Sequence, residues 1–151
     1  MEAISKHNTA TLIHLSTLTQ YFIPFGNFIF PIIIWTTNKD KSEYVDRQGK
    51  QTINFQLSLF LYTMLLALIA VPTFLLAFFK DSNFTGLLNG EDFIFNNFIW
   101  GNHIGLLTLG ILCVVLFAFL KIAEFFLIIH ASVKTSNGDD FKYPMTISFI
   151  K

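Results

Sequence analysis

The chain has 151 residues, of which 53% are hydrophobic and only 13% charged, with a formal net charge of zero and a mean hydropathy of +0.56. A soluble domain carries about 25% charged residues, so half of the usual solvating surface is missing and a water-surrounded globule is excluded. Charge balance removes any global pull toward nucleic acid, and Cys113, the single cysteine, cannot close an intrachain disulfide.

The first eleven residues, MEAISKHNTAT, are polar and match no cleavable signal peptide, so the hydrophobic segments themselves are expected to direct insertion. Thr11 to Trp35 is apolar but broken by Pro24 and Gly26, with Pro31 further on. Proline removes a backbone donor and glycine loosens the chain, so a helix breaks or kinks here. One reading is a single kinked span. The other, favoured by the break, is a hairpin of two short helices with its tip at Pro24-Phe25-Gly26-Asn27. Such a tip in hydrocarbon needs its backbone groups shielded by protein.

The densest run of charge follows, from Asn38 to Gln56. Dense charge cannot lie in hydrocarbon, so this connection sits in water or headgroups. Glu43 and Arg47, and likewise Asp46 and Lys50, are four apart with the acid first, the favourable helical order. Ser42 is placed to cap that helix. Tyr44, Gln48, Gln51 and Phe55 fall on one stripe. Leu57 to Phe79 then gives a span of about 34 Å, with Pro72 expected to kink it and Asn54 and Gln56 at its entrance able to bond neighbouring helices. Lys80 to Asn102 is a second polar connection with an aromatic second half. His103 to Lys134 forms the last long helix, stopped at Asn137-Gly138. The alternation of Met145, Ile147 and Phe149 after Pro144 suggests an extended tail folded back on the protein or the interface.

The expected fold is therefore all-α: a polytopic membrane helical bundle with a broken N-terminal helical hairpin, two long transmembrane helices and a short extended C-terminal tail. It forms one integral membrane domain, with membrane segments near 11–23, 27–37, 53–79 and 103–133. Lys39, Lys41, Arg47 and Lys50 place the 38–52 connection and the 135–151 tail in the cytoplasm, and 80–102 outside, by the excess of basic residues.

Three blocks carry a family likeness. They are Leu12-Ile13-His14-Leu15-Ser16 with Ile23 to Asn27 and Pro31 to Trp35; Lys39 to Ser42 with Val45-Asp46, Gly49-Lys50 and Asn54-Phe55-Gln56; and Lys134, Asn137-Gly138 and Tyr143 to Ile147. In this order they resemble a bacterial membrane family of unknown function. That family is distantly similar to the small multi-spanning, Tic-twenty-like subunit of the chloroplast inner-envelope protein import translocon. Glu43 and Gln48 stand where it often has Pro and His. The resemblance implies a four-helix membrane protein and supplies no activity.

Lys121 and Glu124 are the sharpest candidates for function. They are three apart, share a helix face and can pair. Ionisable groups in a membrane segment are costly and often mark a pathway; alternatively, the bilayer ends near Leu120 and the pair is interfacial. His14 and His130 read as hydrogen-bonded bundle histidines. Asp46 and Lys50 read as an intrahelical pair, and His14, Asn27 and Asn54 as further polar interaction residues. No spacing reads as a metal site, a cofactor site or a catalytic centre. The expected function is a non-enzymatic subunit or accessory of a larger assembly in the bacterial inner membrane, with the lipid bilayer and other membrane subunits as partners. The alternative is a transport element whose polar path is lined by the hairpin and Lys121/Glu124. An enzyme at the interface would need a polar cavity with convergent His14, Asp46 or Lys50.

Overall fold

A computed structural model describes residues 2–79 and 104–151, and every regular element among them is helical. Helix α1 (Glu2–Ser16) runs into a 3-10 turn (Thr17–Tyr21). Helix α2 (Gly26–Asn38) is followed by a second 3-10 turn (Lys39–Lys41), then α3 (Glu43–Phe79) and α4 (Ile104–Ser136). The architecture is thus all-α, with a broken first hairpin and two long apolar helices. The polar connection expected at 80–102 lies outside the described residues.

The break takes the hairpin form, with α1 and α2 packed on each other. Phe25, just before α2, has a φ of 60°. That left-handed conformation is rare for an aromatic residue, and it reverses the chain where Pro24 has already ended the preceding turn. The tip largely satisfies itself. Phe22 and Ile23 donate their N–H to the Thr19 carbonyl, Gly26 to Ile23, and Phe28 and Ile29 to Phe25. Proline 24 has no donor to satisfy. The expected need for a shielding neighbour is reduced accordingly. Both α2 and α3 continue through their internal prolines, Pro31 and Pro72.

Helix α1 begins well before the expected start at residue 11. The polar N-terminal residues are helical because they have partners. The Thr9 and Thr11 hydroxyls donate to carbonyls one turn back. The His7 ring sits edge-on to Tyr44 at 5.4 Å, Ala10 is fully buried, and Thr11 meets Thr135 of α4 at 3.2 Å.

The chain divides into two units, residues 1–61 with 121–151, and residues 62–120. In the first, the interior is rich in polar groups: His14, Gln48, Thr52, Asn54, Gln56, Glu124 and Thr135 are all buried. Its outer surface carries Phe22, Phe25, Ile33, Phe126 and Val133, all more than half exposed. In the second, Cys113 is a buried core residue, as expected, and Phe74 lies over Gly110. Leu68, Val71, Ile111, Val115 and Phe119 face outward.

Leaving one such side chain in water forgoes roughly 1.5–3 kcal/mol, so a handful would exceed a domain's net stability of about 5–15 kcal/mol. An apolar exterior around polar groups suits lipid. Both Glu43–Leu76, within α3, and α4 are long and apolar enough to cross a bilayer, at 34 and 33 residues. Hydrocarbon about 30 Å thick needs only about 20 helical residues, so each helix extends beyond it.

At Gly49 the Trp35 ring of α2 packs directly on α3, so an added Cβ there would strike the ring at Cδ1. Gly49→Val is therefore expected to destabilise the protein by about 1–3 kcal/mol through overpacking. Thermal unfolding in detergent checks this, with an unchanged midpoint as the contrary result.

Candidate functional site

The polar interior of the first unit resolves into four sets of side chains, and each sequence-predicted residue except His130 falls into one of them.

His14 is the centre of the first. Gln48 Nε2 donates to Asp140 Oδ1 at 3.1 Å. A carboxylate only accepts, so the Gln48 amide is oriented, and its Oε1 faces His14 Nε2 at 3.2 Å. Nε2 must then carry a hydrogen. Tyr143 Oη lies 2.8 Å from Nδ1 and Thr52 Oγ1 2.9 Å. Thr52 can place its hydrogen on the Gln48 carbonyl, also 2.9 Å away. Tyr143 therefore donates to Nδ1 in the arrangement that leaves no hydrogen without an acceptor. Its ring stacks on Phe55 at 3.9 Å. Burial, and next the charge of Glu124, push the Tyr143 phenol well above its ordinary pKa, which keeps it a donor.

This chain of bonds runs outward to the charged connection. Arg47 forks onto Asp140 at 3.1 and 3.2 Å and pairs with Glu43 at 3.1 Å. Tyr44 donates to the Asp139 carbonyl at 2.9 Å. Burial and then the Asp140 and Asp139 charges, opposed by Arg47, raise the Tyr44 phenol to about 12. Gly138, with a φ of 85°, turns the chain so that Asp139 and Asp140 reach α3; a Cβ there would also strike His7.

The second set is Lys121, Glu124 and Gln20. The predicted pair forms at 2.8 Å, and Gln20 Nε2 donates to the other carboxylate oxygen at 2.8 Å. Glu124 is 1% exposed. The third is Asp46 and Lys50, paired at 2.7 Å, with Trp35 Nε1 donating to Asp46 at 2.9 Å. The Lys50 bond, followed by those of Trp35 and the nearby lysine charges, holds the Asp46 carboxyl below its ordinary pKa against a smaller opposing effect of burial.

The fourth contains Asn54. Its Oδ1 accepts from the backbone N–H of Phe149 and Ile150 at 3.1 and 2.8 Å, and its Nδ2 donates to the Ile150 carbonyl at 2.9 Å. Ser58 Oγ accepts from Ile147 N–H at 2.8 Å. One side chain thus acts as a strand edge for the tail. The expectation that Asn54 bonds a neighbouring helix is corrected: its partner is the extended C-terminal segment. Asn27 donates to Gln56 Oε1 at 2.7 Å.

His14 shares no hydrogen bond with Asp46 or Lys50: its partners are Gln48, Thr52 and Tyr143, whereas Asp46 bonds Lys50 and Trp35. His130 is also corrected. It lies on the exposed side of α4 against the Phe141 ring at 5.4 Å, not inside the bundle. Gln20, Thr52 and Asp140 were missed by sequence reasoning; the one available signal was polar side chains within apolar helices, which tend to face the bundle.

A family model described as the magnetosome magnetite crystal formation protein family, MamF/MmsF, matches residues 5–150. The chain belongs to that family. No curated protein and no solved structure matches it. The coarser expectation of a bacterial membrane family stands, and the translocon likeness gains no support. In this MamF/MmsF protein the polar sets described above lie within the matched residues.

Three outcomes follow from these bonds. Tyr143→Phe keeps the ring on Phe55 but leaves His14 Nδ1 without its donor, a loss of about 1–3 kcal/mol measurable by thermal unfolding. Asn54→Ala frees three backbone groups of the tail, so tryptic cleavage after Lys142 should quicken by about tenfold; an unchanged rate contradicts the clamp. Asp46, with its depressed folded pKa, stabilises the protein above the ordinary aspartate range, and this contribution disappears as pH falls through the folded value. Asp46→Asn should flatten the acid limb of stability against pH and leave the alkaline limb unchanged.

Proposed function

We propose that the chain is a non-catalytic integral membrane accessory of magnetite crystal formation, embedded in a bacterial membrane and working within a larger membrane assembly. The observation that carries this reading is the family match over residues 5–150. The apolar exterior of both units supports the membrane setting. The translocon likeness brings no function into it.

The topology has support from the first unit. Arg47 and Tyr44 in the 38–52 connection bond Asp140 and Asp139 in the tail, and His7 in α1 packs on Tyr44. Groups in direct contact lie on one side of a bilayer. These contacts support a topology in which the N-terminus, the charged connection and the tail share a side, and their basic residues favour the cytoplasm for it.

The second reading, a transport element, has one observation in its favour: a carboxylate buried at 1% exposure beside Lys121 and Gln20. Against it, the three groups close on one another and so resemble a structural tie. Ion flux in proteoliposomes that Glu124→Gln abolishes would establish transport; flux equal to that of empty liposomes removes it.

The accessory role is tested in a magnetosome-forming bacterium. Deleting the gene should shift the size or shape distribution of the magnetite crystals in electron micrographs, and the wild-type gene should restore it. Crystals unchanged by the deletion contradict the role. Purification in mild detergent should retain companion membrane proteins, and a clean monomer would contradict the assembly.

A further inference from the structure

A polar cavity of about 620 Å³ opens in the first unit, away from the four polar sets. Ser5, Lys6 and Thr9 of α1 line it, together with Asn38 of α2 and Lys41 and Ser42 of the following turn. In a chain of zero net charge, this wall carries two ammonium groups and no carboxylate. Neither Lys6 nor Lys41 pairs with an acidic side chain among the described residues. Lys41 instead donates to the neutral Asn38 Oδ1 at 3.0 Å, which leaves its charge uncompensated. Asp40, between the lysines of the turn, is exposed and does not line the cavity. Elsewhere in this unit the cations Arg47, Lys50, Lys121 and Lys134 all have carboxylate partners. Lys39, which lies over the Trp35 ring, and the exposed tail residues Lys142 and Lys151 also lack a carboxylate partner among the described residues; the cavity brings two such unpaired lysines to one wall.

Its other lining residues are Ser5, Thr9, Asn38, Ser42 and the apolar Val45; the Thr9 hydroxyl and the Asn38 amide already donate within their own helices, so the Ser5 and Ser42 hydroxyls are the ones placed to donate to anionic oxygen. Trp35 lies one turn before Asn38, with Lys39 Nζ 5.7 Å from its ring. Tryptophan with flanking lysine is characteristic of the headgroup level of a bilayer. Two lysines with the Ser5 and Ser42 hydroxyls suit a tetrahedral oxyanion such as phosphate.

We propose that this cavity binds a phosphate-bearing anion between Lys6 and Lys41, and its position at the headgroup level favours an anionic phospholipid. The site goes beyond the accessory reading: it concerns what the N-terminal helix and the charged turn hold, whichever assembly the protein joins.

The test is calorimetric titration of the detergent-solubilised full chain with short-chain phosphatidylglycerol, short-chain phosphatidylcholine and inorganic phosphate. Phosphatidylglycerol should bind more tightly than phosphatidylcholine. Lys6→Gln and Lys41→Gln should each weaken it by about fivefold, while Lys41→Arg retains binding. Lys142→Gln, exposed on the tail and outside the cavity, should leave it unchanged. Inorganic phosphate that competes in the wild type but not in the lysine variants would support the site and identify a free anion as an occupant. Lysine-dependent binding without such competition would support it with the lipid as the source. Equal phosphatidylglycerol affinity in the wild type and both glutamine variants would overturn the proposal, as would an equal loss in Lys142→Gln. Circular dichroism confirms that each variant retains its helix content, and Lys41→Arg separates lost charge from lost fold.

Discussion

An imidazole enclosed by helices can be held in one place only if both of its nitrogens have partners, and His14 has them. Gln48 and Thr52 from α3 and Tyr143 from the tail meet on this one ring from α1. Three stretches of chain far apart in sequence are thereby fixed together at a single point. Removing Gln48 or Tyr143 leaves a ring nitrogen stranded where water cannot replace the partner, which costs more than the bond itself contributes. The rest of the first unit is arranged outward from this node, through Gln48 to Asp140 and from there to Arg47 at the charged surface.

Such an arrangement inverts a soluble protein. Apolar contact gives little net drive between helices in lipid, where the tails are as oily as leucine, so polar bonds and close packing specify the fold. The Lys121–Glu124–Gln20 set, the Trp35–Asp46–Lys50 set and the Asn54 clamp each join separate segments in the same manner. Close packing adds to them at Gly49, where the absent Cβ admits the Trp35 ring. The accessory role proposed for this MamF/MmsF protein needs such internal rigidity, because an accessory acts through the surfaces it holds in place.

Local features were legible in the sequence, and distant ones were not. Pro24 announced the break, and the i,i+4 and i,i+3 spacings announced the Asp46–Lys50, Glu43–Arg47 and Lys121–Glu124 pairs, all of which form. These depend on neighbours along one helix. The tail is different. Asn54 and Ile150 are 96 positions apart, and no periodicity records that they meet. The early start of α1 was hidden likewise. Its polar residues look like a solvated leader until His7 is seen against Tyr44 and Thr11 against Thr135. His130 misled for the opposite reason, since a histidine in an apolar helix resembles a bundle residue, yet its side of α4 faces out.

The most direct measurement of the central claim uses nitroxide labels on a Cys113→Ala background, at Leu68 and Phe119 on the outward faces of α3 and α4. In reconstituted bilayers, power saturation should show collisions with dissolved oxygen and almost none with a water-soluble nickel chelate, because these faces are immersed in hydrocarbon. Strong relaxation by the nickel chelate at both positions would mean that the apolar faces meet water, and the polar-inside, apolar-outside account of this protein would be wrong.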